Sequence, residues 1–278
     1  MAEVLENIGG YPRESAGNAV LDVLERRSST RAFAKGEDGK PLPVTDEQRA
    51  AILHAASRAP TAGAMMMYSI VSVREQATLD RLADLCDHQP MIAHAPWALI
   101  FVVDYAKWID LFEHMGCFEP EFVERTGKQP RRTPNLGDFA IASQDAVIAA
   151  QNAVVAAESL GLGSCYIGDI VENAEEVAEL LDLPPHTMPF SMLIIGTPAK
   201  ERPAIAHPVV NLVHEERYHR ADAATLDAQV AEMDEMFRPH AKEVGERVID
   251  IYTRKHTSPF MAEMGRSMEW WFRNWAGK

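Results

Sequence analysis

The feature that most constrains the fold is a long alanine-rich segment near the middle of the chain. Eight of the 21 residues from 140 to 160 are alanine, and Gly161-Leu162-Gly163 follows directly. Alanine favours helix and lets neighbouring elements approach closely, and glycine is typical of a helix C-terminus. The pattern therefore predicts a central helix over 138–160, packed on all sides.

Shorter segments before and after this helix predict a sheet and further helices. Runs of apolar or β-branched residues predict strands at 68–73, 98–103, 164–168 and 190–196. Helical spacing predicts helices at 15–27, 45–60, 76–86 and 175–183, and a helix followed by a flexible excursion over 107–138. This alternation predicts an α+β (layered α/β) fold with helical segments again after residue 222.

Composition narrows the classes of function. The chain has 278 residues, 27 basic and 41 acidic side chains, and a formal net charge of −14. Nucleic-acid binding needs a net basic face, so nucleic acid is not expected as a partner. No run reaches the ~18 apolar residues of a membrane span, and the N-terminal residues lack the apolar core of a signal peptide. We expect a cytoplasmic protein without a membrane partner.

The common catalytic motifs are absent from the sequence. There is no GxGxxG after a strand, no GxxxxGK[ST], no HExxH and no GxSxG. Cys86, Cys117 and Cys165 cannot form a fully paired disulfide framework, and no histidine pair has the spacing of metal ligands on a helix. We therefore predict no metal, and we expect Cys165 to be a buried small apolar residue rather than a redox partner.

One charged turn stands out as a candidate anion site. Arg27, Ser29 and Arg31 alternate along the turn that follows the first predicted helix. In an extended turn these three side chains point the same way, and two guanidinium groups with a hydroxyl suit a phosphate. The other interpretation is a solvated charged turn, and chemistry alone leaves both open.

Three segments resemble the nitroreductase family of flavoenzymes in the same order and spacing. RSSTRAF at 27–33 resembles the opening signature of that family, ASRAPTAG at 56–63 its second flavin-contacting loop, and GLGSCYIG at 161–168 its third. The likeness covers about residues 15–220. It is strongest to the branch of oxygen-insensitive NADPH nitroreductases and flavin reductases.

The resemblance implies a fold and an assembly. The fold would be nitroreductase-like, with a mainly antiparallel central sheet flanked by helices. Residues 1–220 would form the FMN-binding domain, and residues 221–278 a C-terminal helical extension packed on a homodimer. Trp270, Trp271 and Trp275 are expected to dock that extension, although a substrate-binding role stays open.

The resemblance also implies bound FMN, held by residues from each segment. Arg27, Ser29 and Arg31 would bind the phosphate and ribityl ends, with Arg202 as a further phosphate ligand. The loop contributed by the partner subunit would lie beside the isoalloxazine ring and comprise Pro60, Thr61, Ala62, Gly63, Ala64 and Met66. Gln89 would lie near the polar edge of the ring, and the other face would be lined by Tyr166, Ile167, Gly168 and Asp169.

Two positions in the second loop depart from the family pattern. The family commonly has Asn and Gln where this chain has Ala64 and Met66. The replacement predicts a more apolar flavin site. The other interpretation is that the methionines at 65–67 fill core space, because methionine adapts to irregular gaps.

The implied function is an FMN-dependent oxidoreductase. It would use NADPH or NADH to reduce nitroaromatics, quinones or free flavins by two-electron ping-pong hydride transfer. The FMN N5 atom would carry the hydride, and no side chain would be catalytic. Three alternatives stay open: a flavin store or sensor without turnover, another FMN reaction such as reductive dehalogenation or enoate reduction, and an α/β protein without flavin.

Overall fold

The computed structural model describes residues 17–128, 131–200, 210–236 and 243–278. These residues include an antiparallel sheet. Its strands within these ranges are β1 Tyr68–Val73, β2 Trp97–Asp104, β3 Gly163–Ile167 and β4 Thr187–Gly196, in the order β1-β2-β4-β3. All eight residues of β2 are buried, because this strand pairs on both sides and is covered on both faces. The antiparallel sheet confirms the predicted fold class.

Helices precede, separate and follow these strands along the chain. Within the same ranges they are α1 Ala19–Arg26, α2 Asp46–Ser57, α3 Gln76–Leu85, α4 Pro90–Ala93, α5 Ala106–His114, α6 Pro120–Thr126, α7 Leu136–Ser159, α8 Ala174–Leu180, α9 Ala223–Met236, α10 Glu246–Ile251 and α11 Pro259–Trp275.

The alanine-rich helix α7 is central, as predicted, but one of its faces is open. Six of its eight alanines, including Ala146 and Ala153, are fully buried, and the helix packs against α2 and the four strands. The prediction that it is packed on all sides is wrong for the chain alone, because Ile141, Val147 and Ile148 are each about two-fifths exposed. By length and composition α7 could cross a bilayer, but half of its apolar window is buried within the protein, as in a core helix.

The predicted strands all exist, with ends that move by three residues or fewer. The largest difference is at β4, which begins at Thr187 rather than at residue 190. Pro189 argues against a strand because it cannot donate a ladder hydrogen bond. Here the register shifts between Phe101 and Val102 of the facing strand, and this irregularity accommodates the proline.

The excursion after α5 also differs from its prediction. The sequence predicts one helix and a flexible segment over residues 107–138. Instead α6, which begins at Pro120 and ends before the left-handed Gly127, adds a second ordered helix. Proline in the first turn and glycine after the last are ordinary boundary signals, but seven residues are too few for a clear periodic pattern.

Residue contacts divide the chain into two compact units. One contains residues 27–201 with 263–278, and the other contains residues 1–26 with 202–262. The first unit holds the sheet, and within it Trp271 and Trp275 of α11 are buried, donating to the carbonyl oxygens of Val171 and Asn135. These contacts confirm the docking role of both tryptophans, whereas the predicted domain boundary at residue 220 stays a prediction.

Candidate functional site

The segment that carries the candidate anion-binding trio runs beside strand β3. The N–H group of Thr30 donates to the carbonyl oxygen of Ser164 at 2.8 Å, and Ser29 forms a parallel bridge with the same residue. Thr30 is buried and lies on the α-carbon of Gly163, where a Cβ would approach its hydroxyl to 2.1 Å. Because successive side chains alternate in an extended segment, Ser29 and Arg31 point away from this packed face.

The same segment lies close to the turn that follows β3. Burial raises the pKa of the Tyr166 phenol to about 12, and the positive charge of Arg27 opposes this rise. The Tyr166 hydroxyl donates to Oε1 of Gln151 on α7 at 3.3 Å. The structure therefore brings together the first and third segments that the family resemblance assigns to one site.

Gly168 lies in that turn with no atom of the described residues beside its α-carbon. Its backbone has φ −78° and ψ −27°, which any residue adopts, and a Cβ on it would meet no atom of the described residues within 4 Å. Neither backbone conformation nor packing therefore requires glycine here. A flat ring that approaches the backbone closely would require it. Arg27 acts electrostatically on Tyr166 in the same turn, and Ser29 bridges to Ser164, so the site fits a phosphorylated planar cofactor.

A strained turn positions Gln89 beside the turn that follows β3. Asp87 and His88 both have left-handed backbones, with φ 55° and 51°. The Gln89 side chain then donates from Nε2 to Oδ2 of Asp169 at 2.7 Å. Consecutive left-handed residues that are not glycine store strain, which is common at ligand sites. Gln89 and Asp169, both predicted as site residues, are therefore joined by a hydrogen bond that the sequence did not indicate.

The loop at 60–66 is held separately. The buried carboxylate of Asp145 on α7 accepts from the N–H groups of Ala62 and Met67 at 3.0 and 3.2 Å. Trp108 of α5 donates to the carbonyl oxygen of Met65 at 2.8 Å. Within the described residues, no hydrogen bond joins this loop to the 27–31 segment or to the turn at 166–169.

Comparison with known proteins decides the family. The sequence profile described as "Nitroreductase family" matches residues 24–197, more than half of the chain. This chain belongs to the nitroreductase family.

Individual relatives agree with this assignment. The chain is 31% identical over 215 residues to an FMN reductase [NAD(P)H] of Bacillus subtilis, covering 76% of this chain and 79% of that protein. It is 33% identical over 196 residues to an oxygen-insensitive NADPH nitroreductase of Salmonella typhimurium, covering 68% and 74%. Its fold is similar to that of NfrA2 from B. megaterium, with TM-score 0.72 and 26% identity, covering 90% and 97%.

The methionines of the nitroreductase-family loop have different environments. Met67 is buried and Met65 packs against the core, so both fill core space as one interpretation held. Met66 is 39% exposed and has a left-handed backbone with φ 49°. It therefore does not fill the core of this chain. Arg202, the remaining predicted phosphate ligand, lies outside the described residues.

Asp145 and Trp108 were missed by sequence reasoning. Each bonds to backbone groups far away in the chain, and such bonds leave no local pattern. Asp145 did carry a usable signal, because it is the one acidic residue among the alanines from 140 to 157. A charged residue on the apolar face of a helix is seldom buried without partners.

Ala64 offers a test of the loop geometry. Its φ of 57° is left-handed, which costs an alanine roughly 1–2 kcal/mol, whereas asparagine tolerates this conformation. We expect Ala64→Asn to raise the free energy of unfolding by about 0.5–1 kcal/mol in urea titrations. Ala62 lies in the same exposed loop and has no positive φ, so Ala62→Asn should leave the free energy of unfolding unchanged. Equal stability of both variants would show that Ala64 is unstrained.

Proposed function

We propose that this protein is an FMN-dependent oxidoreductase that takes electrons from NADPH or NADH and passes them to a small nitroaromatic, quinone or flavin. The observation that supports this proposal best is that the segment with Arg27 and Ser29 lies beside the turn at Tyr166, where no atom of the described residues covers Gly168. The relatives named as an FMN reductase and as an NADPH nitroreductase support the same chemistry.

When bound, FMN would supply the two-electron chemistry at its N5 atom. The chain's own residues hold and orient the ligand. Arg27 and Arg31 offer their guanidinium groups to the phosphate, and Ser29 adds a hydroxyl. Arg202 remains a proposed further ligand. Asp169 orients the Gln89 amide toward the polar edge of the ring.

The loop at 60–66 is proposed to complete the site of a second copy in a homodimer. It is anchored to α7 rather than to the other two segments of its own chain. The open face of α7, with Ile141, Val147 and Ile148, offers an apolar surface for pairing. Pairing of α7 helices would place each loop near the partner, as the family resemblance implies. We place the protein in the cytoplasm.

Arg27 is expected to contribute directly to FMN affinity. Removing one charge-assisted hydrogen bond to phosphate costs about 1.5–3 kcal/mol, so Arg27→Ala should weaken FMN binding roughly 10–100-fold. Arg74→Ala removes an exposed arginine outside the proposed site, and it serves as the matched control. Fluorescence titration of FMN onto the flavin-free protein measures the FMN affinity of both variants. Equal FMN affinity of Arg27→Ala and wild type would remove Arg27 from the site.

Steady-state kinetics test the proposed turnover. Initial rates are measured with NADPH and with NADH against a nitroarene, a quinone and free FMN. Because both substrates would use one open face of the flavin in turn, double-reciprocal plots should be parallel. Bound flavin without turnover of any donor and acceptor pair would favour a storage or sensor protein instead.

A further inference from the structure

A cavity lies between α5 and α6, outside the residues assigned to the flavin. Its volume is about 470 Å³, within the range of small-molecule sites. Four of its lining residues are aromatic: Tyr105, Phe112, Phe118 and Phe122. Phe112 and Phe118 meet edge to face, with ring centroids 6.3 Å apart. The three phenylalanines are only half-buried, so ring surface remains available to a flat ligand.

The polar part of the lining is cationic. Lys128, Arg131 and Arg132 line the cavity, and no acidic side chain does so in the described part of the chain. Asp138 already neutralises Arg132 through two hydrogen bonds of 2.5 and 2.8 Å. Arg131 reaches Glu113 only at 4.0 Å and lies over the Phe118 ring, with its guanidinium carbon 5.2 Å from the ring centroid.

Lys128 is the least compensated of the three cations. It is exposed at the cavity, and its ammonium group makes no ion pair with any described residue. In a chain of net charge −14, three cations on one aromatic cavity are an uncommon local concentration of positive charge. A cavity lining with this positive charge attracts an anion, and its aromatic rings favour an aromatic anion.

We propose that this cavity binds a planar aromatic anion of the aryl carboxylate class. Its ring packs on Phe112 and Phe118, and its carboxylate lies at Lys128 and Arg131. The site does not depend on the proposed function, because it needs neither FMN nor a reduced nicotinamide.

Cys117 provides a reporter inside the cavity. It lines the cavity as a half-buried free thiol, whereas Cys86 and Cys165 are 0% and 4% exposed. With the neutral reagent 4,4′-dithiodipyridine, the thiolate attacks one disulfide sulfur, forms a mixed disulfide and releases pyridine-4-thiolate. A ligand in the cavity should slow this reaction, and Cys117→Ser should remove its fast phase.

The test compares three matched probes by calorimetry and by protection of Cys117, without reduced nicotinamide. The probes are 2-naphthoate, the neutral 2-naphthamide and the non-aromatic cyclohexanecarboxylate. We expect 2-naphthoate to bind at least about tenfold more tightly than either other probe. It should protect Cys117 with the same dissociation constant, with or without added FMN.

Variants assign the contacts. Lys128→Ala/Arg131→Ala should reduce 2-naphthoate affinity to that of 2-naphthamide, and Lys40→Ala, an exposed lysine in another loop, should not change it. Thermal unfolding checks that the variants are folded. Equal binding of the three probes, binding without Cys117 protection, or unchanged affinity in the double variant would overturn the proposal.

Discussion

Gly163→Ala is expected to lower the free energy of unfolding by about 2–3 kcal/mol and to weaken FMN binding by at least about tenfold. The added Cβ would lie 2.1 Å from the Thr30 hydroxyl oxygen and 2.6 Å from the Thr30 Cβ. Because a Cβ moves only with the backbone, the segment around Thr30 would have to shift. That shift would displace Ser29 from its bridge to Ser164.

Gly168→Ala is the matched control for this prediction. Its Cβ would meet no atom within 4 Å in the described part of the chain, and its backbone suits alanine. The variant should therefore be as stable as wild type, or slightly more stable, since alanine restricts the unfolded chain. It should nevertheless bind FMN more weakly, because the Cβ would enter the space assigned to the ring. Urea titration and FMN titration separate the two effects.

Two outcomes would contradict this pair of predictions. Wild-type stability of Gly163→Ala would mean that Thr30 does not hold the segment in place. Wild-type FMN affinity of Gly168→Ala would mean that the open space at the turn is not where the ring lies.

Asp145→Ala is expected to lower the free energy of unfolding by about 3 kcal/mol. It removes the carboxylate that accepts from the N–H groups of Ala62 and Met67, and these donors would then be left unsatisfied. Lys107 would also lose the favourable charge of Asp145, which opposes the lowering of its pKa by burial. Asp145→Asn keeps one acceptor oxygen, so it should cost about half as much.

Ser143→Ala is the control for the Asp145 variants. Ser143 is also buried on α7, but its hydroxyl donates to the Phe139 carbonyl oxygen within the helix. Its loss should change the free energy of unfolding by less than about 1 kcal/mol. Urea titration and limited proteolysis at 60–67 measure the effects. Comparable losses for Ser143→Ala and Asp145→Ala would show that Asp145 has no special role in holding the loop.

Elements with strong local patterns could be predicted from the sequence. The apolar run of β2 is typical of a strand buried on both faces, and alanine density locates α7 within two residues of its start. The start of β4 was hidden by Pro189, because accommodation of that proline depends on the facing strand. The short helix α6 lacks enough turns to show a period.

The candidate site divides in the same way. Arg27, Ser29 and Gly168 could be named because their segments resemble a known family. The bonds that position them could not, since Thr30 on Gly163 and Gln89 on Asp169 are contacts between residues far apart in the chain. The cationic cavity was also invisible, because its lining comes together only when α5 and α6 fold.

The most direct test of the central claim is the visible spectrum of the purified protein, recorded before and after anaerobic addition of NADPH. We expect flavin bands that bleach on reduction, with FMN released in about a one-to-one ratio on denaturation. A colourless protein that also fails to bind added FMN would contradict it, and the turn at 27–31 would then be a solvated charged turn.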